Sequence, residues 1–333
     1  MWERLLRIPL VVASQYAGKY RKYLTRSVHF ATFGVLLLAS GCQSGVLPQF
    51  VHHAEPIDLI FVAGQSNAVG FDARPKELPP SPVDKEVLFW WRCGDPIPDA
   101  HDSTSGGKWT HLQPQHLGNP MQPANWRTRQ HGNFGSQNGG FGPEVTLART
   151  LLDKSTTKRL AIIKTAWSDT GMRRDWNVSG PGGECYKTMV SEVRAAIAAA
   201  KLQGYELHPR AMIWVQGETD ANPEDAPRYL DALNAMFKTF RKEMGTPELP
   251  IFIGVNTVYG SPVGQPASDL MRQIVSAQKA LAQRDSLVVY VDTSGATVMN
   301  PAHFDANGTM DVGRRYAKAL LEFERAHPKI ALR

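Results

Sequence analysis

Cysteine is scarce in this 333-residue chain, with three residues in all, at positions 42, 93 and 185. No CxxC pair and no His/Cys cluster at zinc spacing occurs, so a structural zinc site has no ligand set and no metal is expected. Long apolar runs are also missing near the N-terminus. The run from Phe30 to Ala39 is about half of the roughly 20 residues a spanning helix needs. There is no internal repeat and no basic stretch interleaved with aromatics. The formal net charge of +6 is concentrated at one end. Arg4, Arg7, Lys19, Arg21, Lys22 and Arg26 against Glu3 give +5 before Cys42, leaving about +1 for the rest. No nucleic-acid partner is expected.

What is present begins with a leader. A basic flank, the short apolar run and small residues ending in Ala39-Ser40-Gly41-Cys42 have the order of a secretory signal. The last four resemble a bacterial lipobox, which implies a lipidated Cys42, membrane attachment through that lipid and a place in the bacterial cell envelope. Residues 1–42 are then leader, 43–56 a small polar tether with Pro48 and Pro56, and 57–333 the working domain. An exported protein sits in an oxidising compartment, where Cys93 and Cys185 are candidates for a disulfide.

Past the tether, short near-continuous apolar runs occur at 57–63, 86–92, 160–166, 211–215, 251–255 and 287–291. Such runs read as strands buried on both faces. Between them lie helical patterns at 143–153, 186–203, 224–244, 268–284 and 309–325. The alternation predicts an α/β fold, a parallel sheet covered by helices on both sides. Residues 93–141 carry no convincing element. They are rich in Gly, Asn, Gln, His and Pro around Trp109 and Trp126, and a stretch this long is expected to wall a binding site.

In an open parallel sheet, ligands bind beyond the carboxyl ends of the strands. The first run ends there in Gly64-Gln65-Ser66-Asn67. A serine at that place is either a plain helix cap or a nucleophile, and a nucleophile needs a base, an acid and oxyanion donors. The α/β-hydrolase elbow does not fit, because Ala68 stands where G-x-S-x-G requires glycine. His303, between the last strand and the last helix, is the best-placed base; His101, His111, His116 and His131 fall in the long loop. The run 211–215 ends in Gln216-Gly217-Glu218-Thr219-Asp220, offering an amide donor and two acids. Gly139–Pro143 adds backbone N–H groups at a helix start.

GQSN after the first strand, the Gly block, WVQGETD and HFDANG together resemble an SGNH hydrolase. The likeness is to the sialate O-acetylesterase and acetylxylan esterase branch, carbohydrate esterase family six, and covers roughly residues 57–325. It implies a three-layer α/β/α, flavodoxin-like sandwich and cofactor-free hydrolysis of acetyl esters on sugars, with acetylated carbohydrate as partner and no obligate protein partner. Carried over, Ser66 is nucleophile and oxyanion donor, Gly142 and Gln216 are further donors, and His303 is the base. The family usually has Asp three residues before that histidine; here it is Asn300. Glu218 is therefore expected to support the imidazole, ahead of Asp305 and Asp292. Gln65, Asn67, Trp167 and Asp220 are expected to contact substrate, with Trp167 and Trp176 able to stack on sugar rings and Trp214 in the core. Arg173 and Arg174 read as solvated rather than as readers of an acidic sugar. Asn300 also admits a second reading, a glycan-binding protein that has lost part of its triad.

Overall fold

The computed structural model describes residues 56–94, 102–118, 134–155, 159–262 and 264–331. The leader, Cys42, nearly all of the tether, His101, Trp126 and His131 lie outside these residues.

Strand β1 (Pro56–Gly64) organises the fold. It is apolar on both sides because it is covered on both sides. Ile57, Leu59, Phe61 and Ala63 enter one hydrophobic layer, and Ile60 and Val62 the other, as the two-residue period of a strand requires. The remaining strands are β2 (Val87–Gly94), β3 (Ser103–Thr104), β4 (Thr110–His111), β5 (Leu160–Trp167), β6 (Glu206–Val215), β7 (Ile251–Gly254) and β8 (Val288–Tyr290). The sheet runs β3-β2-β5-β1-β6-β7-β8, with β4 also on β2. All pairs are parallel except those of β3 and β4 with β2. The chain reaches β5 on one side of β1 and then crosses to β6 on the other. That reversal of direction opens a crevice at the carboxyl end of β1.

The longer helices divide between the two faces. α3 (Glu184–Leu202), α4 (Tyr229–Met244) and α5 (Asp269–Arg284) bury their apolar stripes in one layer. α2 (Glu144–Lys154) and α6 (Ala306–Ala326) bury theirs in the other, joined by the short α1 (Ser66–Val69). The predicted three-layer α/β/α architecture is what forms, with strand and helix ends within a few residues of expectation.

Three expectations fail. No disulfide joins Cys93 and Cys185, both buried thiols. Cys93 packs in the α2–α6 layer and Cys185 in the α3–α5 layer, so the sheet lies between them. The stretch 93–141 is not without elements, since β3 and β4 lie in it; two-residue strands carry no periodicity to read. Trp109 does not wall a site: its ring packs on Trp90 at 5.8 Å, and its indole N–H donates to Ala196 O at 2.9 Å.

Candidate active site

The turn after β1 is set by backbone geometry. Gly64 has φ 140°, and a Cβ there would lie 2.1 Å from Val215 O, so glycine is required. The next residue is tied to the neighbouring strand: Gln65 N–H donates to Val215 O at 2.9 Å. Gln65 Oε1 accepts from Gly217 N (3.4 Å) and Thr219 N (3.3 Å), so this buried amide locks the turns after β1 and β6 together. Ser66 follows as the first residue of α1, 5% exposed. Its N–H has no hydrogen-bond acceptor among the described residues.

Asn67 brings His303 to this turn. Its Nδ2 donates to Ala302 O at 3.1 Å, and its Oδ1 accepts from Phe304 N at 3.0 Å. The residues on both sides of His303 are thus bonded to the neighbour of Ser66, across more than 230 residues of chain. Asn256 Nδ2 donates to Ala302 O at 3.3 Å from the other side. The Phe71 ring, 4.6 Å from the imidazole, limits its rotation.

The carboxylate set against His303 is Asp72, which sequence reasoning missed. His303 Nδ1 lies 2.7 Å from Asp72 Oδ2, and Asn300 Nδ2 donates to the same oxygen at 2.8 Å. Burial by itself would raise the Asp72 carboxyl, but the hydrogen bond and charge of His303, then Asn300 and Arg74, outweigh it and hold the group below its usual range. An ionised Asp72 only accepts, so Nδ1 carries the proton and Nε2 is the basic nitrogen. Asn300 does not replace the acid. Its Oδ1 accepts from Ala302 N and His303 N, shaping the loop, while its amide N–H aims Asp72. The only sequence signal for Asp72 is a carboxylate in the turn that closes α1.

Glu218, the expected acid, is buried on the far side of Asn67. Its Oε1 accepts from Asn67 Nδ2 at 2.8 Å and Asn256 N at 2.9 Å. It therefore anchors the two amides that hold the histidine loop and makes no hydrogen bond to the imidazole. Burial pushes its carboxyl up. Asp305 Oδ1 accepts from Gly308 N and caps α6, and Asp292 Oδ1 accepts from Ser294 N.

Two expected oxyanion donors are committed elsewhere. Gly142 N–H donates to Glu144 Oε1 at 3.0 Å, and the buried Lys164 ammonium donates to that oxygen at 2.9 Å, to Gln115 Oε1 at 2.6 Å and to Val69 O at 2.9 Å. Gly142 thus belongs to a buried ionic support beneath α1. Gly140 N–H donates to Gln115 O. Gln216 Nε2 donates to Asp220 Oδ2 (2.5 Å) and Thr170 O (3.0 Å), which uses both its protons.

The expected substrate contacts are also internal. Asp220 is 1% exposed and accepts from Met172 N, and burial raises its carboxyl to about 7. Gln65 and Asn67 serve the turns described above. Trp167 and Trp176 are fully buried beside Trp214 and Phe237, in a run of aromatic pairs with centroids 4.9 to 5.9 Å apart. Each such pair contributes about 0.5–1.5 kcal/mol beyond its burial. The Trp167 indole N–H donates to Asp102 Oδ2. Arg173 pairs with Asp225 and Glu224, and Arg174 with Asp175, both arginines remaining exposed as expected. A concavity of about 950 Å³ lies at the opposite, amino end of β1 beside Asp58, His208 and Pro250. Convergence of side chains, not depth, marks the site. Among the described residues no group of His, Cys, Asp and Glu could hold a metal ion.

The model for the family described as carbohydrate esterase, sialic acid-specific acetylesterase, matches residues 56–322. No curated protein matches the chain. Among solved structures, a protein of Arabidopsis thaliana aligns with TM-score 0.58 and 19% identity over 80% of this chain and 98% of its own. NanS aligns with TM-score 0.52 and 17% identity over 81% and 98%. A carbohydrate acetylesterase from Xanthomonas citri aligns with TM-score 0.51 and 18% identity over 81% of this chain and 57% of its own. At these identities the likenesses establish the shared fold.

Proposed function

The chain belongs to the carbohydrate esterase, sialic acid-specific acetylesterase family, and from that membership we propose that it hydrolyses acetyl esters on sugars with a Ser66–His303–Asp72 triad. The observation that carries this reading is the pair of hydrogen bonds from Asn67 to both neighbours of His303, together with the 2.7 Å contact of His303 with Asp72.

His303 Nε2 takes the proton of Ser66 as Oγ attacks the acetyl carbonyl. The carbonyl electron pair moves to oxygen, where the Ser66 N–H is the donor left available. The imidazolium is stabilised by the Asp72 charge and returns its proton to the departing sugar oxygen. Water, deprotonated by the same nitrogen, attacks the acyl-enzyme and releases acetate. Removing the nucleophile is expected to lower 4-nitrophenyl acetate turnover by about 10³-fold or more. Wild type and Ser66→Ala hydrolysing it at one background rate would refute the reading, and acetate release from acetylated xylan and sialosides checks the sugar preference.

The glycan-binding reading rested on Asn300, and it loses that support once Asp72 occupies the acid's place. Export and attachment through a lipid on Cys42 remain part of the proposal on the strength of the leader alone; metabolic labelling with a fatty-acid analogue, absent in Cys42→Ser, tests it. Among the described residues no helix is long and apolar enough to cross a membrane.

A further inference from the structure

Asp169 is the one described residue other than glycine with positive φ, at 55°. Asp tolerates this left-handed conformation better than most side chains, yet it is sparsely populated, and such residues gather at functional sites. Its place is informative. β5 pairs with β1 so that Ala166 lies opposite Gly64; Asp169 stands two residues past the end of β5 at Trp167, and Ser66 two residues past the end of β1. Ser168 (7% exposed) and Thr170 (buried) are turned inward, while Asp169 is exposed. Thr219 Oγ1, whose own N–H holds Gln65 beside Ser66, reaches Asp169 Oδ1 at 3.5 Å. From the β7 side, the half-buried Tyr259 hydroxyl is raised by burial and then by the negative charges of Glu218 and Asp169, so the Asp169 charge is felt across the opening. Gly260, next to Tyr259, donates to Pro301 O in the histidine loop.

The cations on this side are already matched. Arg173 is held by Asp225 and Glu224; Arg174 is held by Asp175 and gives its remaining contact to the Asp169 backbone O, at 2.8 Å. Four carboxylates, at 169, 175, 224 and 225, face three guanidiniums, since the charge of Arg228 also acts on Asp225. On the opposite side Arg74 lies 3.7 Å from Glu77. The Asp169 side of the opening therefore carries net negative charge, and Asp169 is exposed on it.

We propose that Asp169 sets the charge of the substrate: the site takes neutral acetylated sugars and rejects those carrying a carboxylate near the ester. The inference rests on the esterase reading above and departs from the sialic acid named in the family description. A negatively charged sugar acid entering past Ser66 meets a like charge whose neighbouring cation, Arg174, is already paired with Asp175, and like charges juxtaposed in this way select against a partner.

The test uses the full chain with three substrates: 4-nitrophenyl acetate, an acetylated xylo-oligosaccharide and an O-acetylated sialic acid. Wild type is expected to favour the neutral sugar over the sialic acid by about tenfold or more in kcat/KM at low salt. Raising NaCl should narrow that gap by screening. Asp169→Asn, which keeps the shape and the backbone preference, should raise the sialate-to-neutral ratio about tenfold and abolish its salt dependence; Asp169→Gly should do the same. The salt series on wild type needs no variant and guards against misfolding. An unchanged ratio in both variants, or wild type turning over the sialic acid as well as the neutral sugar, would overturn the proposal. If the aryl ester is hydrolysed in a Ser66-dependent way, such a result leaves the esterase reading standing. Loss of all three activities would overturn both.

Discussion

Asp72→Asn separates the charge of the triad from its geometry. The His303 and Asp72 side chains are 17% and 12% exposed with atoms 2.7 Å apart. Two unit charges centred about 4 Å apart at an effective dielectric near 20 attract by about 4 kcal/mol. Residual exposure reduces this to about 2–4 kcal/mol, a fall of about 30- to 10³-fold in kcat/KM. An asparagine at 72 has two possible orientations. Asn300 Nδ2 donates to the same oxygen that the imidazole uses, so the amide oxygen is kept there and its NH2 turned away. The Nδ1–H tautomer should survive, and the loss should be smaller than the roughly 10⁴-fold of the serine-protease case, where the tautomer is wrong. Adding Asn300→Ala to Asp72→Asn removes that constraint and should cost about another tenfold. Glu218→Gln retains an acceptor for Asn67 Nδ2 and Asn256 N, and should keep kcat/KM within about threefold. The assay is 4-nitrophenyl acetate hydrolysis above the Ser66→Ala background, with circular dichroism to verify folding. Asp72→Asn at wild-type rate, or Glu218→Gln as damaging as Asp72→Asn, would refute the assignment.

Two predictions concern stability. Lys164→Met leaves the buried Glu144 charge without its ammonium and should destabilise by about 3–5 kcal/mol in urea unfolding; a change under 1 kcal/mol would show the ion pair to be dispensable. Asp220, raised from 3.8 to about 7 by burial, gives stability that is complete below the unfolded value and lost as pH climbs through the folded one. At about 1.4 kcal/mol per pH unit, the loss between pH 4 and pH 7 is on the order of 4 kcal/mol, and Asp220→Asn should flatten that part of the stability profile.

The sheet was legible because strands covered on both faces read as near-continuous apolar runs, as in Ile57–Ala63 and Leu160–Ala166. Ser66 and His303 stood out because each follows a strand at the same end of that sheet. Asp72 did not, because nothing local says which carboxylate will face an imidazole whose loop arrives from residue 303. Glu218 and Gln216 misled for a related reason. A buried strand end must satisfy its polar groups, and the residues that do so are the types that also do catalysis. The tryptophans were ambiguous in composition, since Trp167 can stack on a sugar or on Trp176 with the same chemistry.

Because Asn67 clasps residues 302 and 304, the hydroxyl and its base meet only after the polypeptide has closed from end to end. Esterolysis is thereby an all-or-none gauge of folding: a fragment ending before Ala302 should be silent, however much of its secondary structure survives.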